Sequence, residues 1–387
     1  MVHHGMLIKI TNESVYMVNK FYYLDDSNQK KKVRKANLIL EGNTGIYDWE
    51  TLKGNWYLPK SGTSSSTGIT IEQRADGRII FCSIIGTDVY ECEIEDVDTL
   101  LSMNESVINW ELTGITANSY GRCHLSRADN TLWLTVLEAG SSTTNASYKL
   151  YKSPSGNGRD WVLHSTLYSH LGTGYNWNLG NYSSAGSVKA LSNGRYVLCG
   201  TYISNGDWHA PYPNIWTSED KGLTWTHRYR MSAGPSVHAY FESTFSKCIA
   251  EYNGVLYYCF SYNYGGTANV VRKSLDGGLT WGSAFNTSGV GGTMHNDLEG
   301  NLLMIHTSYS STSLTVRKYL SPLDDGSSIV LKSLSGKSNA HNHLVTLDDR
   351  ILIISGAYVL GFKFEEFKRI RNLKYNNSDV NWGGVAF

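Results

Sequence analysis

Aromatic side chains crowd three stretches of this chain, with charged and imidazole groups among them. Residues 164–185 carry Tyr168, Tyr175, Trp177 and Tyr182, and residues 204–215 carry Trp208, His209 and Tyr212. Residues 226–245 carry Arg228, Tyr229, Arg230, His238, Tyr240, Phe241 and Glu242. An aromatic ring covers the apolar C–H face of a sugar, while carboxylate, guanidinium and amide groups exchange hydrogen bonds with its hydroxyls. The same residue types also suit cleavage of an acidic polysaccharide. β-Elimination at a uronate needs a cation to neutralise the carboxylate and a base at C5. Arg122 or Arg230, with His209, His238 or Tyr240, has that chemistry. The bland alternative is that the rings pack on one another as a lid.

Such stretches need a scaffold, and the sequence repeats one. Six segments share an apolar strand, a polar turn and a second apolar strand: GITIEQRADGRIIFCS from Gly68, GRCHLSRADNTLWLTV from Gly121, AGSVKALSNGRYVLCG from Ala185, FSKCIAEYNGVLYYCF from Phe245, GTMHNDLEGNLLMIH from Gly292 and AHNHLVTLDDRILIIS from Ala340. Their turn pairs are Asp76-Gly77, Asp129-Asn130, Asn193-Gly194, Asn253-Gly254, Glu299-Gly300 and Asp348-Asp349. Most have the Asn/Asp-Gly chemistry that lets a tight hairpin reach positive φ. The copies recur about every 54 residues, close to the length of a propeller blade. Closing six of them into a ring removes the sheet edges that an open array would expose.

A second signature follows the hairpins. Residues 218–225, SEDKGLTW, and 274–281, SLDGGLTW, both fit S-x-D-x-G-x-T-W. The Asp accepts turn N–H bonds, the Gly takes positive φ and the Trp packs into the blade. Weaker echoes are SPSGNGRDW at 153–161, SPLDDGSSI at 321–329, and Asn109-Trp110. The motif resembles the Asp box of sialidases and related propellers, and the resemblance implies structural turns between the third and fourth strands of a blade. The expectation is an all-β fold, a six-bladed β-propeller with Asp-box turns. Residues 47–52, YDWETL, read like the fourth strand after an Asp box yet precede the first hairpin. The last hairpin is followed by a strand near 358–364 and no box. An N-terminal strand therefore closes the final blade, giving a propeller over 45–367, an attachment or extension segment at 1–44 and a tail at 368–387.

In a four-stranded blade the short hairpins and the Asp boxes share one face, so the three aromatic stretches fall on the other. Unburied aromatic surface in long loops marks a binding site. The expected ligand contacts there are Trp177, Tyr182, Trp208, His209, Tyr212, Tyr240 and Glu242. At the starts of inner strands, Arg122 and His124, Thr293 and His295, and His341 and His343 would line the pocket mouth. Histidines from three blades suit a metal or a base with its partner, although a satisfied buried histidine is the commoner outcome. Only His295 has a nearby carboxylate, Asp297. No metal and no cofactor is expected.

The sialidase resemblance would imply an arginine triad, a Tyr-Glu nucleophile pair and an Arg-Ile-Pro motif. Tyr240 and Glu242 imitate the pair. Arg78-Ile79-Ile80 lacks the proline and lies at a hairpin turn on the wrong face. Sialidase activity is therefore not expected. The phrases HNHLVTLDDRILIISG and TMHNDLEGNLLMIH resemble inner strands of lyase-related propellers over short stretches. Non-catalytic recognition of a polysaccharide or cell-surface glycan leads, and a polysaccharide lyase or glycoside hydrolase acting on an acidic polysaccharide is the alternative.

Charge excludes other partners. Lys+Arg and Asp+Glu balance at 34 each, so no net field recruits nucleic acid or an anionic membrane. No apolar run approaches a membrane span. The N-terminus lacks the features of a signal peptide. Cys82, Cys199 and Cys259 fall at equivalent positions after three turns, too far apart to pair with one another, and read as buried thiols made in a reducing compartment. A protein made in the cytoplasm that acts outside the cell resembles a bacteriophage tail adsorption protein, whose N-terminal segment would bind other virion proteins.

Overall fold

The computed structural model describes residues 22–24, 30–32, 37–42, 49–52, 69–102, 110–117, 122–138, 147–168, 186–203, 211–230, 248–263, 267–283, 285–287, 292–296, 302–307, 313–319, 328–335, 340–347, 350–355, 358–363, 368–375 and 378–379, with side chains only within 69–352. By internal contacts the chain divides into two units, Met1–Asp48 with Phe364–Phe387, and Trp49–Lys363. In the first unit, β1 (Tyr22–Leu24) pairs with β2 (Lys30–Lys32). The same unit contains β3 (Asn37–Gly42).

The second unit is a six-bladed β-propeller whose blades are four-stranded antiparallel sheets. It begins with β4 (Trp49–Leu52). Blade one is β5 (Thr70–Gln73), β6 (Ile79–Ile85), β7 (Asp88–Ile94), then helix α1 (Val97–Ser102) and β8 (Glu111–Thr116). Blade two is β9 (Arg122–Ala128), β10 (Thr131–Glu138), β11 (Ser147–Ser153) and β12 (Val162–Tyr168). Blade three is β13 (Ser187–Ala190), β14 (Tyr196–Ile203), β15 (Pro211–Ser218) and β16 (Thr226–Arg230). Blade four is β17 (Ile249–Tyr252), β18 (Val255–Asn263), β19 (Thr267–Ser274) and β20 (Phe285–Thr287). Blade five is β21 (Gly292–Asn296), β22 (Leu302–Thr307), β23 (Ser313–Tyr319) and β24 (Ser328–Ser335). Blade six is β25 (Ala340–Val345), β26 (Arg350–Ser355), β27 (Tyr358–Lys363) and, as its outermost strand, β4. Phe362 faces Trp49 and Val359 faces Leu52 in that closing pair. In the first unit, β28 (Lys368–Tyr375) pairs with β3 and with β29 (Ser378–Asp379), so the chain before the propeller and the chain after it share one sheet.

The hairpin turns take the conformations their residues favour. Asp129 and Asn130 (φ 49° and 59°) and Asn253 and Gly254 (φ 50° and 77°) hold positive φ at both central positions, as two-residue hairpins whose twist matches the strands require. The turns of blades one and three are longer. Gly77 N–H bonds Arg74 O at 3.1 Å and Arg74 N–H bonds Arg78 O at 2.8 Å, and Leu191, Gly194 and Arg195 repeat the pattern. The pairs at Gly300 and Asp349 lie outside the described residues.

The core is a set of apolar layers between successive blades. Ile80, Cys82 and Val89 of blade one meet Leu125, Leu134 and Val136 of blade two. Trp133 and Leu150 of blade two meet Leu198 and Trp216 of blade three, and Val197 and Cys199 meet Cys248 and Tyr258 of blade four. The layer of Ile71, Phe81 and Val97 takes in Leu344 and Leu352 of blade six, which completes the ring. Inner strands are also joined by side chains. Thr70 Oγ1 accepts from Leu125 N at 2.9 Å, Ser126 Oγ accepts from Val188 N at 3.0 Å, and Gln73 Oε1 accepts from Leu347 N at 2.6 Å.

Candidate functional site

The Asp boxes of blades three and four are closed by bonds within their own turns. In blade three, Ser218 Oγ donates to Asp220 Oδ1 at 2.7 Å and accepts from Gly222 N at 2.7 Å, while Asp220 accepts Thr224 N at 2.8 Å and Thr224 Oγ1 at 2.5 Å. Ser274, Asp276, Gly278 and Thr280 repeat these bonds in blade four. Both carboxyls are held down to about 2: at Asp220 chiefly by the Thr224 hydroxyl, and at Asp276 by bonds from Thr280 and Ser274 that outweigh partial burial. Each carboxylate is thus the acceptor that closes its own turn.

Neighbouring blades grip the boxes with cations. Arg74 of blade one donates to Asn157 O at 3.2 Å, Lys152 of blade two to Lys221 O at 3.1 Å, and Arg195 of blade three to Asp276 O and Gly277 O at 2.7 and 2.9 Å. The box tryptophans reach back as well: Trp161 Nε1 donates to Glu91 at 2.9 Å and Trp225 Nε1 to Ser165 Oγ at 3.3 Å. A cavity of about 220 Å³ between blades one and two is lined by Glu91, Glu93, Glu111 and Arg159. Its carboxylates are committed. Trp161 holds Glu91, Arg74 and Arg78 hold Glu93, and Arg159 stands 3.5 Å from Glu111.

The opposite face is where the long connections begin and end. Strands β12 and β16 finish there, β13 and β17 start there, and the chain leaves β14 at Ile203 and re-enters β15 at Pro211 on the same side. Arg122 is the first residue of β9, Tyr212 the second of β15, Arg230 the last of β16 and His341 the second of β25, so all four backbone positions lie at this end of their strands. Trp177, Tyr182, Trp208, His209, His238, Tyr240 and Glu242 lie outside the described residues. His295 is the fourth of five residues in β21 and stands towards the hairpin end. His124 is buried at 1% exposure, with Nδ1 3.0 Å from the Thr70 hydroxyl, which makes it a core histidine joining blades one and two.

Three polar residues on the inner strands escaped the sequence reading. Lys189 of blade three reaches past blade four, with Nζ 3.2 Å from Asn296 Oδ1 of blade five. Asn296 in turn donates to Glu251 O of blade four at 2.7 Å, and the Glu251 carboxylate accepts from Ser192 N and Oγ at 2.8 and 2.5 Å. Burial lowers the Lys189 ammonium's pKa, and the Glu251 charge works against that shift. These groups tie three blades together at the hairpin end of the inner strands. The available signal was a lone lysine inside an otherwise apolar strand, SVKAL, which the repeat alignment passed over. Among the described residues no group of three or more His, Cys, Asp or Glu side chains is placed to hold a metal ion, and no helix is long and apolar enough to cross a membrane.

No family model and no curated protein matches the chain. Solved structures do. A protein of unknown function from Dyadobacter fermentans aligns with a TM-score of 0.56 at 13% identity, over 77% of this chain and 94% of its own. An α-L-arabinofuranosidase of Fusarium graminearum, solved with arabinobiose, gives 0.52 at 10% identity over 76% and 91%. A Hadza microbial sialidase gives 0.51 at 15% identity over 78% and 65%. With six blades, Asp-box turns and a closing N-terminal strand, the chain shares the fold of sialidase- and arabinofuranosidase-type β-propellers.

Proposed function

We propose that the face opposite the Asp boxes recognises a polysaccharide or cell-surface glycan without cleaving it. The observation that carries this reading is the division of labour between faces. One face is consumed by internally satisfied turns, whereas the long connections of blades two to four open from the other. Those connections hold Trp177, Tyr182, Trp208, His209, Tyr240 and Glu242, a composition suited to stacking on sugar rings and bonding their hydroxyls. The arabinobiose bound to a protein of like fold supports a sugar ligand in general terms. In this reading the unit of Met1–Asp48 and Phe364–Phe387 attaches the propeller to a larger assembly, as in a phage tail adsorption protein.

Cleavage by β-elimination is the second reading. It is favoured by Arg122 and Arg230, whose strands bring both backbones to the same end of the propeller. One assay separates the two. The protein is immobilised, challenged with neutral and uronate-containing polysaccharides, and the ultraviolet absorbance of unsaturated products is followed. Retention of a glycan without new absorbance is the expected result. A steady rise would replace recognition by lyase activity, and no retention of any glycan would overturn both readings.

A further inference from the structure

We propose that Cys199 and Cys248 are a modification site, an inter-blade disulfide that forms when the protein meets a hydroperoxide. Cys199 lies in β14 opposite Ser187 of β13, and Cys248 stands immediately before β17 in the next blade. The Cys248 thiol donates to the Cys199 sulphur at 3.2 Å. Both are buried in the apolar layer of Val197, Ile215, Ile249 and Tyr258. A disulfide holds its sulphurs at about 2.05 Å, so the bond asks for an approach of roughly 1 Å.

The environment gives the two sulphurs different roles. The hydrogen bond from Cys248 brings the Cys199 thiol down to about 7 despite burial, and the Ser187 hydroxyl, 3.3 Å away, helps. Burial pushes the Cys248 thiol well up. Cys199 is therefore the attacking thiolate and Cys248 the resolving thiol. The Cys199 thiolate attacks one peroxide oxygen, the O–O bond breaks, and hydroxide leaves with a proton as water, giving a sulfenic acid. The Cys248 sulphur then attacks Cys199, expels the second hydroxide and gives up its proton, which completes a second water. Two thiols lose two electrons, and the peroxide gains them.

The bond would staple the second strand of blade three to the threshold of blade four. The segment it encloses contains the connection 231–247, so the return end of that connection would be anchored in the core.

The test uses the full chain under native conditions. It is treated with hydrogen peroxide, quenched with an alkylating agent and mapped without reduction by mass spectrometry. The expected result is one cross-linked pair of peptides containing Cys199 and Cys248, with four of the six cysteines still alkylated. A reducing agent should reverse the bond and the accompanying rise in Tm. Cys199→Ser and Cys248→Ser should each abolish the cross-link, and Cys82→Ser should leave it. Retention of all six thiols, sulfinic acid at Cys199 without a cross-link, or a bond through another pair would overturn the proposal. The map of the unaltered protein decides even if a serine variant does not fold.

Discussion

The turn of blade two and those of blades three and four reach the same closure from opposite ends. In blades three and four the carboxylate stands third in the box and accepts from the threonine near its end, at Thr224 and Thr280. In blade two the carboxylate is Asp160, beside the tryptophan, and it accepts from Ser153 Oγ and from Ser155 N (2.9 Å) at the start of the turn. The serine–glycine bond is kept, from Gly158 N to Ser153 Oγ at 2.9 Å. What the fold needs is one acceptor across the turn, and either end can supply it. In blade one the stretch before Trp110, residues 103–109, lies outside the described residues. The third strand of that blade is followed by α1, capped by Asp96 Oδ1 accepting from Thr99 N at 2.6 Å, and Trp110 packs against the layer between blades one and six.

The comparison can be broken first at glycine. Gly222 has φ +86° and a Cβ there would lie 2.6 Å from the Trp133 ring, whereas Gly156, at φ +71°, has nothing nearer than Asn130 O at 3.8 Å. Gly222→Ala should cost about 3 kcal/mol, and Gly156→Ala about 1 kcal/mol, from conformation alone. Urea unfolding of both variants measures the gap, and equal losses would deny that the close approach of Trp133 to Gly222 adds to the conformational cost.

Carboxylates come next. Asp276→Ala removes the acceptor for Ser274 Oγ, Leu279 N, Thr280 N and Thr280 Oγ1 and should cost about 2 kcal/mol. Asp160→Ala removes fewer bonds and should cost about 1 kcal/mol. A loss at Asp160 as small as that of a surface substitution would show that the reversed box is decoration.

Acid provides a third test. Asp220 and Asp276 titrate near 2 in the folded protein, against about 3.9 for a free aspartate. Their contribution is present above the unfolded value and is lost as pH falls through the folded one. The stability difference between the unaltered protein and the Asp220→Ala/Asp276→Ala variant should therefore be constant near neutrality and shrink as the pH falls from about 4 towards 2. A difference that stayed constant would remove the carboxylates from the account.

The smallest expected effect separates the faces. Trp208→Ala should weaken glycan binding about five- to tenfold, roughly 1 kcal/mol, without loss of stability. Asp276→Ala should leave the affinity of the folded fraction unchanged. Titration calorimetry with the retained glycan checks both, and the opposite pattern would reverse the assignment of the faces.

The ring was legible because hairpin chemistry is local. Asn-Gly, Asp-Gly and Asp-Asn pairs mark turns whatever surrounds them, and the orphan strand at Trp49 gave away the closure. Features that depend on packing between blades were not legible. Equivalent positions after the turns separate Cys82, Cys199 and Cys259, but they say nothing about Cys248, which stands immediately before the inner strand of the next blade. Lys189 was passed over for the same reason, since its partners lie one and two blades away. His124 matched the inner-strand pattern of a pocket residue, and only the position of Thr70 in the neighbouring blade makes it a core group.

The closing strand has a consequence for synthesis. Trp49 and Phe362 are partners about 310 residues apart. At translation rates of roughly 5–20 residues per second, the strand at Trp49 waits some 15 to 60 s for its sheet to emerge from the ribosome. Throughout that interval blades one to five can fold in order, but the edge that receives the final blade stays uncovered. A nascent chain stalled before Lys363 would therefore be an open arc with two adhesive ends, and the last step of its maturation must await release of the sixth blade.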